Sequence, residues 1–229
     1  MKEHPILFNG EMVRAILSGQ KTQSRRVIKP QPTVDYHSGF VLESMDKTRR
    51  YGDVIFTDTV NPVFVTKTEY ARYPYGEPGD VLWVRETFST SGLTRYNYTG
   101  DPDEHGGPND RCCAYAADAM YKCGKPIPPD ELAAGSHKWK PSIHMPRWAS
   151  RITLKVTGVR VERVQDITET DARAEGVSLM HLDDLGQTWA TYRRGFEALW
   201  DSINAKRGYS WESNPWVWVV TFNPRVAEV

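Results

Sequence analysis

Eight residues near the end of the chain, Pro215 to Phe222 (PWVWVVTF), are apolar on both faces of a strand. That pattern predicts a strand buried on both sides, so whatever sheet contains it must be covered above and below. Asp80 to Phe88 (DVLWVRETF) is the clearest strand of the first half and is opened by the turn at Pro78-Gly79. Alternation puts Leu82, Val84, Glu86 and Phe88 on one face and Val81, Trp83, Arg85 and Thr87 on the other. Glu86 is therefore in register with three apolar residues. A carboxylate there costs on the order of several kcal/mol unless it is paired or hydrogen-bonded. It is a strand-end residue reaching water, an ion-pair partner or a functional acid, and the pattern leaves all three open.

Ile152 to Val164 adds more sheet. Ile152, Leu154 and Val156 share one phase and Val159 and Val161 the other, so a bulge or tight turn is predicted at Thr157-Gly158. Helices frame these strands. Met12, Val13, Ile16 and Leu17 mark a short one that ends at Ser18-Gly19, where glycine suits a left-handed closing residue. Thr168 with Asp171 three residues on, closing at Gly176, marks a second. Trp189, Tyr192, Phe196, Leu199, Trp200 and Ile203 follow helical spacing and read as a core-facing stripe. The expected fold is α+β: a curved sheet or small β-barrel with a few flanking helices.

A chain of 229 residues suits one domain with long insertions. Two stretches read as insertions. Residues 31–78 hold strand-like pieces at Phe40–Leu42, Val54–Thr57 and Val63–Thr66. Residues 89–137 are rich in Gly, Pro, Asp and Asn and read as a long surface excursion. The charges balance, 29 Lys plus Arg against 29 Asp plus Glu, but they are unevenly placed. Residues 1–30 carry six basic and two acidic side chains, residues 137–163 seven and one, and residues 164–201 three and eight. Two basic blocks on a neutral chain suit a localised anionic ligand better than a general coating of nucleic acid. Cys112 and Cys113 are adjacent and Cys123 stands apart, which gives neither a disulfide framework nor a zinc pair. His105, His137 and His144 have no ordered spacing to them. No cofactor or metal is expected. No signal peptide and no apolar run of membrane-spanning length is read, so a cytoplasmic protein with reduced thiols is expected.

Chemistry concentrates in Gly10 to Arg26 (GEMVRAILSGQKTQSRR). Just past the first helix stand Lys21 as a candidate base, Ser24 as a candidate nucleophile, and Arg25 and Arg26 as anion-binding groups. In a regular strand Lys21 and Ser24 point to opposite faces, so their cooperation needs a turn between them. Trp139 to Arg151 (WKPSIHMPRWASR) alternates aromatic and basic residues between prolines. Indole faces beside Arg and Lys suit unstacked bases, and they equally suit a loop anchored to the core.

Gly19-Gln20-Lys21 with Ser24 and Arg26 resembles the GxKxxExR signature of the ASCH domain family, a relative of the PUA fold. Gly79 to Glu86 resembles that family's second hallmark, and Asn214 to Val219 its closing strand. Trp139–Arg151 is similar to the version found in bacterial prophage proteins of the family. The resemblance implies a small β-barrel with a cleft at the helix end bearing Lys21, and nucleoside, nucleotide or RNA ligands. One branch of the family hydrolyses N4-acetylcytidine with a Lys and a Thr of this motif and a Glu on the later strand. Carried over, these are Lys21, Ser24 and Glu86. Ser24 stands where the signature has its Glu and keeps the hydroxyl chemistry. Substrate contacts are then expected from Gly19, Arg25, Arg26, Trp83, Arg85, His144, Arg147 and Trp148. An amidohydrolase is the first expectation. A non-catalytic reader is the second, with Lys21, Arg25, Arg26 and Arg147 on phosphates and Trp83 or Trp148 stacked on a base. A ribonuclease using Lys21 and Glu86 is the third.

Overall fold

A computed structural model describes residues 1–32, 38–41, 54–57, 68–71, 73–90, 113–121, 126–127, 129–135, 137–177 and 191–226. In chain order its elements are β1 (Glu3–Leu7), α1 (Gly10–Leu17), β2 (Gln23–Val27), β3 (Ser38–Val41), β4 (Val54–Thr57), β5 (Thr68–Ala71) and β6 (Val81–Arg85). There follow β7 (Phe88–Ser89), β8 (Ala114–Tyr115), β9 (Met120–Tyr121), α2 (Pro129–Ala133), β10 (Ile152–Arg163), α3 (Glu169–Ala174), α4 (Tyr192–Asn204) and β11 (Trp216–Val226). The fold is mixed α+β. Its main sheet has the order β1-β6-β10-β11-β2, with β1 and β6 parallel and the other neighbours antiparallel.

β11 is the buried strand that its sequence predicts. Trp216, Trp218, Val220 and Phe222 face one core with Val13 and Ile16 of α1, Ile6, Leu82 and Leu154. Val217 and Val219 face a second core built from Phe196 and Trp200 of α4, Ala172 of α3 and Trp211. Helices therefore cover both faces of this strand. Each fully buried large apolar side chain contributes about 1.5–3 kcal/mol. The predicted irregularity is also present, as a register shift between Val156 and Gly158 against β11. A Cβ at Gly158 would stand 2.8 Å from Oγ1 of Thr221, so glycine permits the close approach of the two strands.

The described strands do not close into a barrel; β1 and β2 are the edges of an open sheet. The sheet curls, however, until Arg26 on β2 donates to the carbonyl of Leu7 at the end of β1 over 2.5 Å. The stretch 31–78 holds its own antiparallel sheet β3-β4-β5, with its first strand at Ser38–Val41. The piece expected at Val63–Thr66 lies outside the described residues, as do Leu42 and Trp189. A third sheet, β7-β8-β9, joins Phe88 to the described part of 89–137. β6 stops at Arg85, so Glu86 sits at its exit, and Phe88 belongs to the next strand. Among the described residues no helix is long and apolar enough to cross a membrane.

Candidate functional site

α1 is capped at both ends as its sequence dictates. The Asn9 side chain accepts from the Met12 amide at 2.8 Å, and Gly19 turns the chain out with φ +75°. The Lys21 amide then donates back to Ala15 in the last turn at 2.9 Å, and Thr22 donates to Ala174 at 2.8 Å. Lys21 is thus clamped between the C-terminal ends of α1 and α3. The second helix starts at Thr168, whose hydroxyl accepts from the Asp171 amide, and closes at Gly176 with φ +79°. A Cβ at Gly176 would stand 2.9 Å from Cβ of Lys21 and 2.7 Å from Cβ of Ala15. The glycine is what allows α3 to end against the lysine.

Lys21 is 0% exposed. Its ammonium donates to the Glu175 carboxylate at 2.6 Å and to the Glu175 carbonyl at 2.9 Å. Burial pushes the Lys21 pKa below its ordinary value against the pull of Glu175, and Arg26 and Arg25 push the same way. The other Glu175 oxygen takes Arg25 at 3.2 Å. Arg25 also binds Glu162 at 2.5 and 2.8 Å and Asp171 at 3.2 Å. Arg160 completes the lattice on Glu162 and Asp171 at 2.9 and 2.8 Å. Three cations and three carboxylates balance here. Lys21 and Arg25 of the basic block 1–30 thus meet Asp171 and Glu175 of the acidic block 164–201 inside the molecule.

β2 begins at Gln23, and Lys21 lies ahead of it in a lone bridge with Glu175. Alternation then places Ser24 and Arg26 on one face and Gln23 and Arg25 on the other. Lys21 and Arg26 both lie over the Phe8 ring, at 5.6 and 5.0 Å from its centroid, which sets Lys21 on the Ser24 side. Because β2 is an edge strand, Glu175 packed along its free edge reaches a side chain of each face. Ser24 is 2% exposed, and among the described residues its hydroxyl has no hydrogen-bond partner. Ser24, Arg25, Arg26 and Glu175 line a cavity of about 420 Å³ whose walls include Tyr75, Trp218, Leu199, Trp200 and Tyr209. That volume lies in the range of about 300–1,000 Å³ typical of small-molecule clefts. Leu199 and Ile203, expected only in the core, form part of its wall.

Glu86 is placed elsewhere. It is 1% exposed and held by both ends of the Arg151 guanidinium at 3.0 Å, while Arg151 also binds Asp118 at 2.8 Å. The charges that act on Glu86 are those of Arg151 and Asp118, and those that act on Lys21 are Glu175, Arg26 and Arg25. Of the three readings its register allowed, the ion pair is present, with Arg151 just ahead of β10, which neighbours β6. Burial holds the Glu86 carboxyl above its ordinary 4.5 in spite of Arg151. Between 4.5 and its folded value the native chain holds the extra proton. Its contribution to stability is present below that window and lost as pH rises through it. Urea unfolding across pH 4.5–7 is expected to record this loss, and Glu86→Gln is expected to remove it; an unchanged profile would assign the slope to another group.

The other expected contacts form a second group away from the cavity. Arg85 lies over the Trp83 ring at 5.5 Å and donates to the Ile143 carbonyl. Arg147 holds Glu3 through two bonds of 2.7 and 2.8 Å at the surface, His144 is exposed, and Trp148 packs beside Phe88, Tyr115 and Met145. None of these six residues, Glu86 included, lines the cavity. Gly19 contributes only its turn. The residue that the sequence reading missed is Glu175. Its signals were the acidic block and the capped helix closing at Gly176, one position after it. Among the described residues no group of three or more His, Cys, Asp or Glu is placed to hold a metal; Cys112, Cys123 and His105 lie outside them. Comparison of the chain with protein-family models, curated proteins and solved structures gave no significant match.

Proposed function

We propose that this chain is an ASCH-type, PUA-like protein whose cavity takes an N4-acylated cytidine and hydrolyses its amide, with Lys21, Ser24 and Glu175 as the reacting groups. The observation that carries the reading is a wholly buried lysine paired with Glu175, a carboxylate that lines the same cavity as the buried Ser24. A neutral amine has two N–H bonds, and Glu175 offers Lys21 two acceptors. The lone pair then remains for the serine proton. Ser24 Oγ attacks the acyl carbonyl as its proton passes to Lys21, and the cytosine amine leaves with that proton. Water then cleaves the acyl-serine, releasing the carboxylic acid and restoring the hydroxyl. Glu175 holds Lys21 in place and balances the charge it gains.

Incubation with N4-acetylcytidine followed by chromatography is expected to show cytidine and acetate. Ser24→Ala is expected to abolish both products, since it removes the attacking oxygen. Wild-type protein that releases no cytidine would overturn the hydrolase reading and leave a nucleoside-binding one.

A further inference from the structure

Resting on the reading of this cavity as a nucleoside site, we infer that its mouth is a phosphate subsite formed by Arg26, Lys29 and Arg207, so that the preferred ligand is a cytidine phosphate and not the free nucleoside. The cavity is lined by four cationic side chains, Arg25, Arg26, Lys29 and Arg207, against the single carboxylate of Glu175. That carboxylate is already divided between Lys21 and Arg25. Arg25, the fourth cation of the lining, is paired with Glu162, Asp171 and Glu175. Arg26, Lys29 and Arg207 have no such partner among the described residues, although they share one concave surface.

Arg26 is the anchor of the group. Its terminal nitrogen donates to Leu7, yet its buried Nε has no hydrogen-bond partner. A buried guanidinium N–H without a partner has lost its water and gained nothing in return, and a phosphate oxygen would satisfy it. Burial disfavours the charged form of Arg26 most, Tyr75 and Glu175 pull the other way, and Arg207 adds a repulsion that a dianion between the two guanidiniums would reverse. Lys29 is held over the Tyr209 ring at 5.1 Å, which fixes its position at the rim. Arg207 ends a 3-10 turn, Ala205–Arg207, closed by Gly208 at φ +85°. A ligand with its base toward Ser24 and its phosphate toward the rim would engage the full length of the cavity.

Calorimetric titration of the whole chain with cytidine 5′-monophosphate and with cytidine tests this without requiring turnover. The nucleotide is expected to bind at least about tenfold more tightly than the nucleoside, and the ratio is expected to collapse toward one in Arg207→Ala and in Lys29→Ala. Both side chains are exposed, so neither variant threatens the fold. Equal affinity for the two ligands would overturn the subsite while leaving hydrolysis of N4-acetylcytidine untouched. Preference for the nucleotide in a protein that hydrolyses nothing would support the subsite and sink the hydrolase reading. Binding of neither ligand would overturn both. A short oligocytidylate that displaces the monophosphate at lower concentration would support the subsite and place its phosphate in RNA.

Discussion

Glu175→Gln is expected to lower turnover of N4-acetylcytidine by about 10²–10⁴-fold, while Glu86→Gln leaves it close to wild type. The two carboxylates are both almost fully buried and each is held by a cation. They differ in what the cation is. Glu175 holds a lysine, whose amine can lose its proton once burial has weakened the charged form. Glu86 holds an arginine, which stays protonated throughout the accessible pH range. A proton-transfer relay can be built on the first pair and not on the second. Gln at 175 still accepts one hydrogen bond, and Arg25 keeps Glu162 and Asp171, so the folded state survives the change. Near-UV circular dichroism alongside kcat separates the two roles. A Glu86→Gln protein as inactive as Glu175→Gln, with native spectra for both, would return the acid to Glu86 and refute the assignment.

The second large effect is on stability. Glu175→Ala is expected to cost about 3–5 kcal/mol, because it leaves Lys21 buried with only a carbonyl for company. The pair Lys21→Met with Glu175→Leu is expected to be neutral, or more stable than wild type by about 1–4 kcal/mol. Desolvating two ions consumes most of what their attraction returns, and well-packed apolar side chains of similar volume avoid that cost. The double variant would be stable and inactive, which is the signature of a charge pair retained for chemistry. Urea unfolding followed by fluorescence reads both values, and the eight tryptophans supply the signal. Additive single and double effects would mean that the two side chains do not depend on each other, against the 2.6 Å contact.

Much of the scaffold was legible without coordinates. β11 shows itself because a strand buried on both faces has nothing but apolar residues to offer. The bulge at Gly158 shows itself because the side-chain period slips there, and α1 and α3 because Gly19, Thr168 and Gly176 satisfy helix ends by local geometry. These are contacts within a few residues, where sequence and structure are nearly the same information. The placement of Lys21 follows from a similar local cause, since its amide bonds back to Ala15 in the last turn of α1.

What joins residues far apart had no such record. Alternation identified Glu86 as a buried acid but not Arg151 as its partner, 65 positions away. Lys21 and Glu175, 154 positions apart, meet only because α3 ends against α1 at Gly176. The charge blocks announced that opposite charges would be needed, and both a ligand and the chain itself can supply them. Tertiary packing decided which charges the chain itself supplies. It set Arg25 against Glu162, Asp171 and Glu175, and among the described residues it left Arg26, Lys29 and Arg207 on the cavity without a carboxylate partner. Local patterns fix which side chains are buried, whereas only the fold fixes which buried charge meets which, because pairing energy depends on separation in space and not along the chain.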